Sequence, residues 1–106
     1  MIKNLFKKNT SFTNIQKDQF KELMTKENTL ILDVRTPYEY LTGNIERSVN
    51  IDIMNNEFND KVKEFDKNAH VLVYCRSGAR SQIACEKISN LGFSHVYNLS
   101  GGYNKW

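Results

Sequence analysis

The sequence predicts an α/β fold organised around a mostly parallel sheet, and three observations carry that expectation. Short apolar runs alternate with amphipathic stretches along the chain, the pattern of βαβ units whose strands are covered on both sides. Within the intervening stretches the apolar residues recur at steps of three and four, the helical spacing. The length of 106 residues supports one buried core and excludes a second. The expected organisation is a basic tail over residues 1–10 followed by a single domain over residues 11–106.

Each element follows from local chemistry. Residues 11–15 read as an edge strand, and residues 19–24 place Phe20, Leu23 and Met24 on one helical stripe. Residues 29–34 are apolar enough for a central strand and end in the polar cluster Asp33, Arg35 and Thr36. Thr36, Pro37 and Glu39 form a capping box with Pro at the first helical position, and Gly43 closes that helix after about two turns. Residues 48–53 are expected to form another strand. Met54, Phe58, Val62 and Phe65 then mark one face of a helix whose Lys61, Lys63 and Glu64 face water. Residues 70–74 form a β-rich run that delivers Cys75 at its carboxyl end. A helix follows with Ser81, Ala84, Cys85, Ile88 and Leu91 along its stripe and Gly92 as its stop. Residues 95–99 supply the last strand, and residues 101–106 a turn leading to a final aromatic.

Composition narrows the function classes. One Pro, five Gly, 25% charged and 40% hydrophobic residues describe an ordinary globular chain. The net charge of +3 comes from scattered lysines rather than a basic block, so small anions are mildly favoured and no nucleic-acid partner is expected. No apolar stretch approaches the roughly 20 residues of a membrane span. Residues 1–10 lack the apolar segment and cleavage site of a secretory signal. They read as a solvated tail, with a membrane-surface anchor as the lesser alternative. Two cysteines, without metal-ligand spacing, fit a reducing compartment and no metal, so the expected location is cytoplasmic.

The chemistry concentrates at Cys75. A cysteine at the carboxyl end of a buried strand, followed by a short loop into a helix, lies where open α/β sheets bind ligands. The loop's N–H groups can converge on one point and the helix start adds partial positive charge. Such surroundings lower a thiol pKa from about 8.5 to between about 3.5 and 7.5. Gly78 permits a tight turn, and Arg76 and Arg80 add cationic donors. The alternative is an inert, buried strand-end cysteine followed by a surface loop.

Cys75-Arg76-Ser77-Gly78-Ala79-Arg80-Ser81 resembles the active-site loop of rhodanese-like domains, which often reads C-x-x-G-x-R-S. Upstream, Leu32-Asp33-Val34-Arg35, Glu39-Tyr40, Gly43-Asn44-Ile45 and Asn50-Ile51 resemble the family's LDVR…EY…GHI…NI segment. Downstream, Ala84, Leu91-Gly92-Phe93, Val96-Tyr97-Asn98-Leu99, Gly101-Gly102 and Trp106 resemble its ending. The resemblance implies a central, mainly parallel five-stranded sheet with helices on both faces and no cofactor. It also implies a ping-pong sulfurtransferase. The Cys75 thiolate takes the outer sulfur of an anion such as thiosulfate as a persulfide and releases sulfite, and a thiol or protein acceptor then removes that sulfur. The loop backbone over Arg76, Ser77, Gly78, Ala79 and Arg80 forms the anion cradle. Cysteine phosphatases of related fold carry their Arg six positions after Cys, where this chain has Ser81, so the shorter ring suits a single sulfur atom. Arg76 directly after Cys75 resembles thiosulfate-using members.

Asp33 and Arg35 are expected to support the site. Asp33 could pair with Arg80 and brace the loop from behind; the alternative is a purely structural ion pair at these two positions, with Glu39 or another neighbour, in which neither residue touches substrate. The chain departs from the family at Asn44, often His, and at Arg47-Ser48, often Gly-Ala, which bears on local packing. Cys85 reads as core, with a resolving cysteine as the alternative. His70 and His95 fall at strand starts, remote from the site, and Trp106 either packs on the domain or borders the pocket. The expected protein is a monomeric sulfurtransferase. The rivals are a rhodanese-fold binding or regulatory module without catalysis and, disfavoured by loop length, a cysteine phosphatase or arsenate reductase.

Overall fold

The computed structural model describes residues 12–106. The basic tail over residues 1–10, with its membrane-anchor alternative, and Ser11 of the expected first strand lie outside the described residues. Among the described residues five strands form one sheet: β1 (Phe12–Ile15), β2 (Thr29–Asp33), β3 (Val49–Asn50), β4 (His70–Tyr74) and β5 (His95–Leu99). Their spatial order is β1-β5-β4-β2-β3, and every adjacent pair is parallel. Parallel neighbours need crossovers, which here include the helices α1 (Lys17–Leu23), α2 (Pro37–Leu41), α3 (Phe58–Val62) and α4 (Ala79–Asn90). A 3₁₀ helix, Gly102–Lys105, follows β5.

Side chains alternate across the sheet with period two, so each strand feeds two cores. Val71, Val73 and Cys75 pack with Phe58 and Val62 of α3 and with Ala84, Cys85 and Ile88 of α4. Leu72 and Tyr74 point the other way, to Phe20 of α1 and to Tyr103 and Trp106 beyond β5. Helices therefore cover both faces, as expected. Phe20 is fully buried, worth about 2–3 kcal/mol of transfer free energy, and its ring meets Trp106 edge-on at 5.5 Å. Lys17 and Lys21 sit over the same indole at 5.6 and 5.5 Å, so Trp106 fastens onto α1.

Three boundaries differ from expectation. Helix α1 begins two residues early because Gln19 Oε1 accepts the Gln16 N–H at 3.1 Å, a cap built from glutamines rather than Ser or Thr. Strand β3 shrinks to Val49–Asn50, and Met54 leaves the helical face to stand 78% exposed. The cause of both is a pair of Asx turns: Asp52 accepts from Met54 N–H and Asn55 from Glu57 N–H, at 2.9 and 2.8 Å. The chain therefore turns through residues 52–57 and helix α3 starts only at Phe58.

Candidate active site

Strand β4 and helix α4 meet at the loop after Cys75, at the carboxyl end of the sheet. Gly78 is the residue before the helix and adopts φ +107°, a left-handed conformation that aims its N–H back toward the cysteine. Cys75 is 1% exposed, and its Sγ accepts N–H groups from Gly78 at 3.1 Å and Ser81 at 3.4 Å. The Ser81 hydroxyl lies 3.4 Å away, accepting from the thiol; on ionisation it can turn and donate. Burial pushes the thiol pKa up. The Ser81 hydroxyl and the N–H groups of Ser81, Gly78 and Ser77 more than offset it, leaving Cys75 below its ordinary value.

The 3₁₀ helix holds this loop from the opposite side. Tyr103 N–H donates to the Cys75 carbonyl at 2.8 Å and Asn104 N–H to the Arg76 carbonyl at 3.0 Å. With those carbonyls drawn outward, the following N–H groups are free to face the sulfur. Gly102 makes the approach possible: a Cβ there would lie 2.5 Å from the Arg76 oxygen and 2.6 Å from the Cys75 oxygen.

Arg76 and Arg80 do not reach the sulfur. Both bind Glu39: Arg80 holds its two carboxylate oxygens at 2.8 and 3.0 Å, and Arg76 Nε lies 3.3 Å away. Arg80 above all, with Thr36, holds the Glu39 carboxyl well below the usual carboxylate range against the opposing effect of burial. Glu39 also completes the expected capping box, accepting the Thr36 N–H at 3.1 Å, so one carboxylate ties the start of α2 to the loop.

Asp33 does not pair with Arg80, and this corrects the bracing role considered for it. Strand register sets Asp33 opposite Tyr74, on the face away from α4. There it binds Arg35, with Nη2 at 2.7 Å and Nε at 3.0 Å, and accepts the Tyr74 hydroxyl at 2.7 Å. Tyr74 also accepts the Ile45 N–H at 3.0 Å, and burial pushes its pKa up to about 12. Arg35 donates to the Gly43 carbonyl at 2.6 Å and lies 4.6 Å from the Tyr103 ring centre. Asp33 and Arg35 thus meet Tyr74, which directly precedes the cysteine, and Arg35 also meets Tyr103, whose N–H holds the Cys75 carbonyl.

Ser81 is the site residue that the cradle expected over residues 76–80 left out. Its signal was present, since a hydroxyl in the first turn of an otherwise apolar stripe needs a polar partner in the core. Cys85 is fully buried among apolar neighbours, where burial pushes its thiol up. The His70 and His95 rings lie 5.0 Å apart at the strand starts, the opposite end of the sheet from Cys75. Among the described residues no cluster of three or more His, Cys, Asp or Glu could hold a metal, and no helix is long and apolar enough to cross a membrane.

Residues 16–106 match the family model of the rhodanese-like domain. The chain belongs to that family. Its rhodanese relatives include the thiosulfate sulfurtransferase GlpE of Pseudomonas putida, 33% identical over 97 residues that cover 92% of this chain and 86% of that protein. The tRNA uridine(34) hydroxylase of Pelagibacter ubique is 34% identical over 100 residues, covering 93% of this chain and 33% of the relative. The chain therefore spans about a third of the hydroxylases it matches. Among solved structures, a rhodanese-related protein from Thermoplasma volcanium superposes with a TM-score of 0.76 at 33% identity, covering 89% of each chain. A rhodanese-like domain protein from Staphylococcus aureus gives 0.77 at 28% identity, covering 89% of this chain and 90% of that one. The family is of sulfurtransferase type, and its named relatives differ in activity.

Proposed function

We propose that the protein is a sulfurtransferase that carries sulfane sulfur as a persulfide on Cys75. The observation that supports this reading is the ring of polar groups around a nearly buried thiol: Gly78 and Ser81 N–H groups donate to Sγ at 3.1 and 3.4 Å, and the Ser81 hydroxyl at 3.4 Å accepts from the thiol and can turn to donate once it ionises. The Cys75 thiolate attacks the outer sulfur of a thiosulfate-like anion, the S–S bond to the sulfonate sulfur breaks, and its electron pair leaves with sulfite. An acceptor thiolate or cyanide then attacks the outer persulfide sulfur, and the Cys75–S bond electrons return to Cys75 as thiolate. In both resting forms the negative charge lies within reach of the same donors. No metal or cofactor enters either step.

Both arginines of the loop are occupied by Glu39, so the groups converging on sulfur are backbone and serine. That favours a single sulfur atom over a tetrahedral phosphate. Two unpaired cysteines accord with a reducing, cytoplasmic setting. The test is intact mass before and after brief thiosulfate exposure, for wild type and Cys75→Ser, followed by cyanide. A gain of one sulfur atom that needs Cys75 and is discharged by cyanide is expected. No adduct with any sulfur donor would overturn the reading in favour of a binding module, and p-nitrophenyl phosphate turnover abolished by Cys75→Ser would replace it with a phosphatase.

A further inference from the structure

Two grooves flank α4 where it leaves the loop, and they differ in charge. One, about 500 Å³, runs beneath Ser77 and Gly78 toward Asn98 and Ser100 and carries Glu86 without any cation. The other, about 400 Å³, lies between α3 and α4. Its floor includes buried Phe58, its walls the exposed Met54 and Ile83, 78% and 54% accessible, and Asn59 stands on its α3 side. Arg80 and Lys87 line it, and no carboxylate does.

Positions 80, 83 and 87 fall on one helical face at steps of three and four. The seven-residue rise from Arg80 to Lys87 is roughly 10 Å at 1.5 Å per residue. Arg80, at the loop end, is neutralised by Glu39, whereas Lys87 makes no ion pair among the described residues. The groove therefore offers, in order from the cysteine loop, a neutralised arginine, an apolar trough and an unpaired cation.

We propose that this groove docks the sulfur acceptor, a protein that presents its cysteine on an extended segment with an apolar residue and a carboxylate within about three positions of it. At about 3.3 Å per extended residue, three residues span the distance from Arg80 to Lys87. The apolar side chain enters between Met54 and Ile83, and the carboxylate meets Lys87. The Glu86 groove on the other side of Ile83 repels the same segment, so charge alone selects between the two. This inference rests on the persulfide reading of Cys75 and adds to it the chemistry of the acceptor.

The test loads the protein with thiosulfate and times the second half-reaction against cyanide and against short cysteine peptides. The peptides carry leucine and glutamate, or leucine and lysine, within three positions of the cysteine, in both orders. Wild type is expected to discharge to the better glutamate peptide about tenfold faster than to its lysine counterpart. Lys87→Glu reverses the order, Ile83→Asp slows both peptides, and discharge to cyanide is unchanged in each variant. Equal rates with the two peptides in wild type, or a preference that survives Lys87→Glu, would overturn the docking assignment while leaving cyanide discharge intact. Failure of wild type to load sulfur at all would overturn the persulfide reading and the acceptor assignment with it.

Discussion

Replacing Glu39 by Gln separates the charge of the loop from its shape. Glutamine is accepted at this position of a capping box, so the amide oxygen keeps the Thr36 N–H and α2 retains its start. What is lost is the negative charge that Arg80 binds at 2.8 and 3.0 Å and Arg76 at 3.3 Å. The Glu39 side chain is only 15% exposed, but those of Arg80 and Arg76 are 35% and 64% exposed, so solvent screens much of the attraction. A loss of about 1–2 kcal/mol of stability at neutral pH is expected. The sign with pH follows from the depressed Glu39 pKa. The stabilisation is fully present above the unfolded-state value of about 4.3, and it drains away as pH falls through that value toward the much lower folded one. Denaturant melts of wild type and Glu39→Gln should therefore differ at pH 7, with a gap that begins to narrow near about pH 4 and shrinks further as pH falls toward the folded value.

The same substitution leaves the mouth of the site one unit more positive. For a divalent anion ~8 Å away in a water-like dielectric that is worth about 1 kcal/mol, a KM for thiosulfate about fivefold lower. The gain should be confined to low ionic strength, with kcat nearly unchanged because the donors on sulfur are backbone and serine. Steady-state kinetics at two salt concentrations decide it. A KM that rises, or a stability gap that does not depend on pH, would show that Glu39 acts through geometry rather than charge.

Ser81→Ala removes the hydroxyl 3.4 Å from Sγ while leaving the Ser81 backbone donor. The midpoint of iodoacetamide alkylation against pH, held below the ordinary thiol value in wild type, should move up, and sulfur loading near neutrality should slow about tenfold. Gly102→Ala places a methyl group 2.5 Å from the Arg76 oxygen at a residue with φ +59°. A loss of about 2–4 kcal/mol in denaturant melts, with cysteine reactivity falling toward that of a free thiol, is the expected result.

What was legible in the sequence was whatever depends on near neighbours. Residues 70–74 form β4 as expected because an unbroken apolar run has no good alternative to a buried strand. Thr36, Pro37 and Glu39 start α2 through contacts three residues apart. Cys75, Gly78 and the helix beyond them follow from loop spacing alone. The partners of Asp33 were not legible, because they depend on which strand lies beside β2 and on which face each residue then shares. Once register sets Asp33 opposite Tyr74, Arg80 on α4 is out of its reach. Glu39 was recognised through its local bonds and its distant arginines were missed for the same reason. The exposure of Met54 turned on Asp52 and Asn55, whose side chains competed for the N–H groups that a longer helix would have used.

The clasp that Tyr103 and Asn104 place on the carbonyls of Cys75 and Arg76 also imposes an order in time. A ribosome makes Cys75 well before it makes these residues, and β1 likewise waits for β5, to which it is paired. The loop around the cysteine therefore reaches the shape it has here only once residues some thirty positions further along the chain have packed against its carbonyls.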